Sequence, residues 1–167
     1  MNFEYRLNFN DFKEVNQFHS TRMILRYLLI VGGIAVLISL LGLINQGNVS
    51  LQEILWSVLL PNILPIVFLY CLTYFFQQIV IKRAWDSQPN FRLEIRVEAS
   101  DEELKITTPL SESKAQWSLY THWGESANLF MVYQSGNCLN MFPKRAFSTN
   151  EQVNEFRELL RSKLPKK

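Results

Sequence analysis

From Met23 to Ile44 the chain is almost wholly Leu, Ile, Val, Gly and Ala, with Arg26 the only charge. The run exceeds the roughly 20 residues a helix needs to cross about 30 Å of hydrocarbon, so it predicts a membrane span over 23–44. A second apolar run, Leu51–Ile81, carries no charge between Glu53 and Lys82. It predicts a second span over 54–81, kinked by Pro61 and Pro65. Residues 23–81 thus read as a transmembrane hairpin.

The flanking pattern has a different period. Phe3, Tyr5, Leu7 and Phe9 alternate with Glu4, Arg6 and Asn8, as in a half-buried strand. Asn10 or Asp11 can cap a short helix whose apolar face is Phe12, Val15 and Phe18. His19, near the predicted bilayer surface, reads as interfacial or solvated. A lone strand is unstable in water, so segment 1–22 is expected to add to the sheet predicted later in the chain. A linker, 82–90, contains Pro89. In 91–167, Phe91, Leu93, Ile95 and Val97 alternate with charges, turn at Ala99–Glu102 and resume at Leu104 and Ile106, an antiparallel hairpin. Further strands are expected over Lys114–Tyr120, Leu129–Gln134 and Cys138–Phe142, the last two joined by a turn at Ser135-Gly136-Asn137. Ser148 with Glu151 forms a capping box. Val153, Phe156, Leu159, Leu160 and Leu164 then make one apolar helical stripe that Pro165 ends. The predicted fold class is an α+β membrane protein: a two-helix transmembrane hairpin plus a small antiparallel sheet or open barrel covered by a C-terminal helix.

Charge sets the orientation. Arg22 and Arg26 precede the first span, Lys82 and Arg83 follow the second, and the loop Asn45–Glu53 has no Lys or Arg, so both termini should be cytoplasmic. The expected location is the cell membrane, multi-pass. The net charge is +2, and 13 Lys/Arg stand against 11 Asp/Glu after Ile81, which gives no basic excess for nucleic acid. Cys71 in the second span and Cys138 in the later domain are separated by that topology, so no disulfide is expected. The polar residues before Met23, with Glu4, Asp11 and Glu14, disfavour a cleaved signal peptide.

The Phe-Glu-Tyr strand at the N-terminus, the membrane hairpin, Trp117-Ser118 and the run Phe142-Pro143-Lys144-Arg145-Ala146-Phe147 before the helix resemble the YcxB-like bacterial membrane proteins. The resemblance covers nearly the whole chain, and its most specific piece is Pro143–Phe147 followed by an acidic-capped helix. It implies a C-terminal domain similar to bacterial pleckstrin-homology (PH)-like domains, a curved sheet capped by a helix, in the bacterial inner membrane. It implies no defined activity.

Candidate chemistry is sparse. His122 and Cys138 could form a nucleophilic pair, but Cys138 alternates with apolar Leu139 and Met141 and reads as a small buried residue. No spacing suggests a metal and no glycine-rich phosphate loop is present, so no cofactor is expected. Trp117 and Trp123 read as core. Lys144 and Arg145 are the candidate contact for an anionic headgroup or an acidic partner, against a solvated pair at a strand end. The acidic turn Ala99–Glu103 stands where PH-like lipid binders carry basic residues. In the first span Gly32, Ala35, Ser39 and Gly42 form a small-residue stripe for helix packing, within the chain or in a homo-oligomer. Asn62, between the two prolines, should satisfy carbonyls freed by the kink. The function expected is a non-enzymatic, membrane-anchored cytoplasmic interaction module, its partners the lipid bilayer and a protein at the inner face. An anionic-lipid-binding protein and a subunit of an oligomeric channel or transporter are the alternatives.

Overall fold

The computed structural model describes residues 1–45, 50–136 and 138–166, with His19, Thr21 and Arg22 described by their backbone alone. The chain is α+β, with two long apolar helices and two small antiparallel sheets. It divides into two compact units, Met1–Asn16 with Arg83–Lys167, and Gln17–Lys82.

In the first unit, β1 (Asn2–Arg6), β2 (Glu94–Ala99), β3 (Glu103–Thr108) and β4 (Ser111–Gln116) form one sheet in that order. The alternation of the N-terminal residues has its cause here. β1 lies antiparallel to β2 with Phe3 opposite Val97 and Tyr5 opposite Ile95, which turns Phe3 inward and leaves Glu4 and Arg6 exposed. The Met1 ammonium donates to the Ala99 carbonyl at 2.7 Å and fixes the register at its end. The second sheet, β5 (His122–Glu125), β6 (Leu129–Tyr133) and β7 (Leu139–Pro143), is closed by neither edge on the first, so there is no closed barrel.

Both sheets share one core with helix α4 (Asn150–Lys163). Phe156 of α4 is wholly buried, its ring centroid 5.3–5.5 Å from those of Phe3, Phe130, Phe142 and Phe147. Most of these contacts are edge-on, the arrangement that ring quadrupoles favour. Each such side chain contributes about 1.5–3 kcal/mol by leaving water. The helical stripe of α4 therefore points where the two strand patterns point.

Several expectations shift by a few residues for identifiable reasons. The α4 cap is Thr149, not Ser148: its hydroxyl accepts from the Gln152 amide, and the Gln152 side chain accepts from the Ser148 amide at 2.9 Å. The expected capping box is thus replaced by a hydroxyl cap at Thr149, with the Gln152 side chain bonding the amide before the cap rather than the cap's own. Helix α1 (Phe9–Ile44) begins behind Asn8, whose side-chain carbonyl accepts from the Asp11 amide while its own backbone amide donates to the Asp11 carboxylate, so Asn8 rather than Asn10 or Asp11 is the cap. The strand expected over Lys114–Tyr120 ends at Gln116. A 3-10 turn at Trp117–Leu119 then tucks Trp117 into the core, its indole donating to the Ser100 carbonyl at 3.0 Å. Strand β2 begins only at Glu94 because Pro89 opens a 3-10 turn, Pro89–Arg92. Strand β5 has no counterpart among the expected strands; its four residues are too short for a readable alternation.

In the helical unit, α1 runs without a break through the positions read as a short helix and a span. The second apolar run is a helical turn α2 (Leu51–Glu53), a π-helical stretch Ile54–Leu59, and α3 (Leu60–Ser87). The π-helix ends two residues before Pro61, and Pro65 lies inside α3. The positions read as linker start later than expected, since α3 continues to Ser87. Its end, from Arg83 on, belongs to the first unit, within which Trp85 is buried against Phe12 and Phe91. Asn62 donates to the Val58 carbonyl at 2.7 Å and to Ser39 Oγ at 3.1 Å. Both apolar runs are long and apolar enough to cross a membrane, and only 6% of the most apolar window of each is buried. The loop positions 46–49, the Asn137 turn position, and the His19 and Arg22 side chains lie outside the described residues.

Candidate functional site

The two basic residues singled out in the sequence sit in a 3-10 turn, Lys144–Ala146, directly after β7. Both are engaged. Arg145 grips Asp11 through both terminal nitrogens, one at 2.6 Å, and donates to the Arg6 carbonyl at 3.0 Å. The Asp11 side chain is only 4% exposed, so the pair is half inside the protein. The hydrogen bond to Asp11 raises the Arg145 pKa, partly offset by burial. Lys144 Nζ lies 2.9 Å from Glu125 Oε1 and 2.8 Å from the Ser126 carbonyl, above the Phe130 ring.

Glu125 is the hub of this corner. It also receives Arg157 at 2.8 Å and Lys166 at 3.5 Å. Burial pushes its pKa up, but hydrogen bonds from Arg157 and Lys144 outweigh that and hold it at about 2. Nearby, Glu14 accepts from the Asn128 amide and side chain, both at 3.1 Å. For Glu14 too, burial is outweighed, here by hydrogen bonds from Ser126 and Asn128 and by the Lys144 charge, and its pKa is lowered. Tyr5 closes the set by donating to the Met141 carbonyl at 2.6 Å; burial, and then the Asp11 charge, raise its pKa. Chemically this is a clasp that fastens the N-terminal strand and the start of α1 to β5–β7. An external anion would have to displace Asp11 or Glu125 to reach either cation. The sequence alone offered Asp11 only as a helix cap and did not single out Glu125. Asp11, between apolar Phe9 and Phe12, carried the one available signal: a charge flanked by apolar residues needs a buried partner.

The acidic β2–β3 turn is held by Ser100, whose hydroxyl accepts from the Glu103 amide at 3.1 Å, and Asp101 pairs with Lys163 of α4 at 3.1 Å. At the other end of the sheet, β4 has β3 as its only partner strand among the described residues, which leaves one backbone edge open there. Ser111, Glu112, Ser113 and Lys114 on it are exposed, and Leu110, at the turn before it, is 73% exposed. A shallow groove of about 210 Å³ lies on the same sheet, lined by Glu4, Glu94, Arg96, Thr107, Thr108 and Pro109; Arg96 is paired with Glu4 across it.

His122 stacks on Tyr133 with ring centroids 4.3 Å apart and bonds Thr121, whereas Cys138 is exposed and donates to the Gln134 side chain at 3.3 Å. The expectation of a buried Cys138 is therefore corrected: it precedes β7, whose inward alternation starts later. Trp117 and Trp123 are both core residues. No group of three metal-ligating side chains occurs among the described residues.

In the helical unit the small-residue stripe divides. Gly32 is buried where α1 meets α3, and a Cβ there would stand 2.6 Å from the Ile66 terminal methyl. Ala35 and Ser39 are half-buried, Ser39 bonding both the Ala35 carbonyl and Asn62. Gly42 is exposed, with nothing within 4 Å of a Cβ.

Residues 99–160 match the family model described as YcxB-like protein. The match runs from the end of β2 into α4, so it is narrower than the resemblance drawn from the whole sequence, and β1 and the two long helices lie outside it. No curated protein and no solved structure matches.

Proposed function

Starting from a chain that carries a YcxB-like domain over residues 99–160, we propose a membrane-anchored cytoplasmic interaction module without enzymatic activity. One observation carries the reading: two helices expose Leu29, Ile38, Phe68 and Phe75 at 61–67% of their surface, a state water disfavours and hydrocarbon accepts. In the sequence Arg22 and Arg26 stand at the start of the first apolar run and Lys82 and Arg83 follow the second, which supports a multi-pass anchor with both termini cytoplasmic. Sheets of four and three antiparallel strands around a C-terminal helix support a PH-like arrangement for the domain. With Lys144 and Arg145 neutralised internally, protein contact is the better use of it than lipid headgroups. The open β4 edge beside Leu110 is the surface that supports such contact, by strand addition.

A photo-crosslinking side chain at Ser113 in native membranes tests this, with one at Glu158, exposed on α4, as the reference. A protein adduct formed from position 113 and absent from 158 is expected. No adduct, or the same adducts from both positions, would refute the β4 surface.

A further inference from the structure

Between α1 and α3 runs a cleft of about 500 Å³ with almost wholly apolar walls, among them Leu25, Leu29 and Gly33 on one side and Ile66, Val67 and Tyr70 on the other. The glycine pair shapes it. At Gly32 the helices touch through Ile66; at Gly33 a Cβ would meet nothing within 4 Å, so the helices part there. From Leu25 to Val36 the cleft follows α1 for about 16 Å, close to half of a ~30 Å hydrocarbon core and so to one leaflet. The two ends differ in their polar groups: past Val36 and Ile66, Ser39 and Asn62 are bonded to each other, whereas the other end offers hydroxyls and a cation. Tyr70 heads the cleft and also lines a smaller crevice with Thr73, Tyr74 and Gln77. Arg26 is exposed three residues before Leu29 and seven before Gly33, on the same helical face. Glu53, near the far end, is the one carboxylate in Gln17–Lys82, so within its own unit Arg26 has no counter-charge beside it among the described residues.

A groove one leaflet deep, apolar along its length and cationic and hydroxylic at its head, matches an amphipathic anion. We propose that it binds one anionic phospholipid of the cytoplasmic leaflet, with an acyl chain in the cleft and the phosphate at Arg26. A second copy of the chain fits less well. A helix about 10–12 Å across needs roughly 1,200 Å³ or more over the same length, so it would rest on the cleft without filling it. The site rests on the membrane reading above.

The test uses the full chain in nanodiscs of mixed phosphatidylglycerol and phosphatidylcholine, released into mild detergent for native mass spectrometry. One retained phosphatidylglycerol per chain is expected. Gly33→Leu, which fills the cleft, and Val67→Trp, which fills it from the opposite wall, should each lower the lipid-bound fraction at least tenfold. Arg26→Gln should abolish the preference for phosphatidylglycerol while a lipid still binds, and Leu37→Val should change nothing. Retention undiminished in both filling variants overturns the proposal, as does a dimer that both variants dissociate. Alkaline carbonate extraction separates the two readings: a wild-type chain that leaves the membrane refutes the anchor and the site together, whereas one that stays but retains no lipid refutes the site alone.

Discussion

The two units spend the same kinds of side chain in opposite ways. In the sheet unit Trp123, Phe130, Phe142 and Phe156 are wholly buried; in the helical unit Leu29, Trp56 and Phe68 keep about two-thirds of their surface, at 67%, 66% and 66%. The apolar side chains alone do not separate them; the scarcity of charge in Gln17–Lys82 and the spacing of apolar residues do. Alternating strands and the one-sided stripe of α4 each leave a polar face for water, and their apolar faces converge on one core. The apolar runs of α1 and α3 have no polar side to turn outward. Helices apolar all round need an apolar medium, whereas the sheet unit supplies its own.

The comparison breaks most visibly at Phe156. Truncating it opens a void among four phenylalanine rings, so Phe156→Ala should cost the sheet unit about 3–5 kcal/mol. Hydrogen exchange on the full chain in detergent would show lost protection across β1–β7 with the amides of 25–40 unchanged. Loss in both regions would mean that they are not separately stabilised.

Next in size is the clasp. Asp11→Ala leaves Arg145 without its partner in a half-buried place and should cost about 2 kcal/mol, read as a fall in the unfolding midpoint of the sheet unit. Because β1 is held by Arg145 at the Arg6 carbonyl and by Tyr5 at Met141, protection of Phe3–Arg6 should fall first.

In the helical unit the contrast lies between two glycines. Gly32→Leu forces the Ile66 side chain and the helix contact apart and should cost about 1–3 kcal/mol; Gly42→Leu, in open space, should be nearly neutral in the same detergent-stability assay. Equal effects would remove Gly32 from the helix contact.

The smallest effect is acid sensitivity. Glu125 in the folded state is held at about 2, below its ordinary 4.5, and Glu14 is lowered as well. A depressed pKa gives stability that is fully present above 4.5 and lost as the pH falls toward 2. The sheet unit should therefore lose stability below about pH 4.5, and Glu125→Gln should flatten that slope while lowering the plateau.

Much of this was legible in the sequence because it is local. The two apolar runs, the alternation at Phe3, Tyr5 and Leu7, and the Val153–Leu164 stripe each report their surroundings through spacing alone. The clasp was not legible: Asp11 and Arg145 are 134 residues apart and meet only after β1 has paired with β2. Lys144 and Arg145 read as a free basic pair for the same reason, since their partners stand on an unforeseen strand and at a helix start. Strand β5, only His122–Glu125, is held by pairing with β6 and by the Trp123 amide bond to the Pro165 carbonyl at 3.0 Å, neither of which leaves a periodic trace.

The native cysteines provide the most direct measurement of the central claim. Both are exposed, Cys71 on α3 and Cys138 just before β7, so only a membrane could make them differ. A water-soluble, membrane-impermeant maleimide applied to intact spheroplasts and to inside-out vesicles reads each in turn. The anchored cytoplasmic module predicts that Cys138 reacts only in inside-out vesicles, and that Cys71 reacts in neither until detergent is added. Labelling of Cys138 from outside intact spheroplasts, or of Cys71 in sealed membranes, would contradict it.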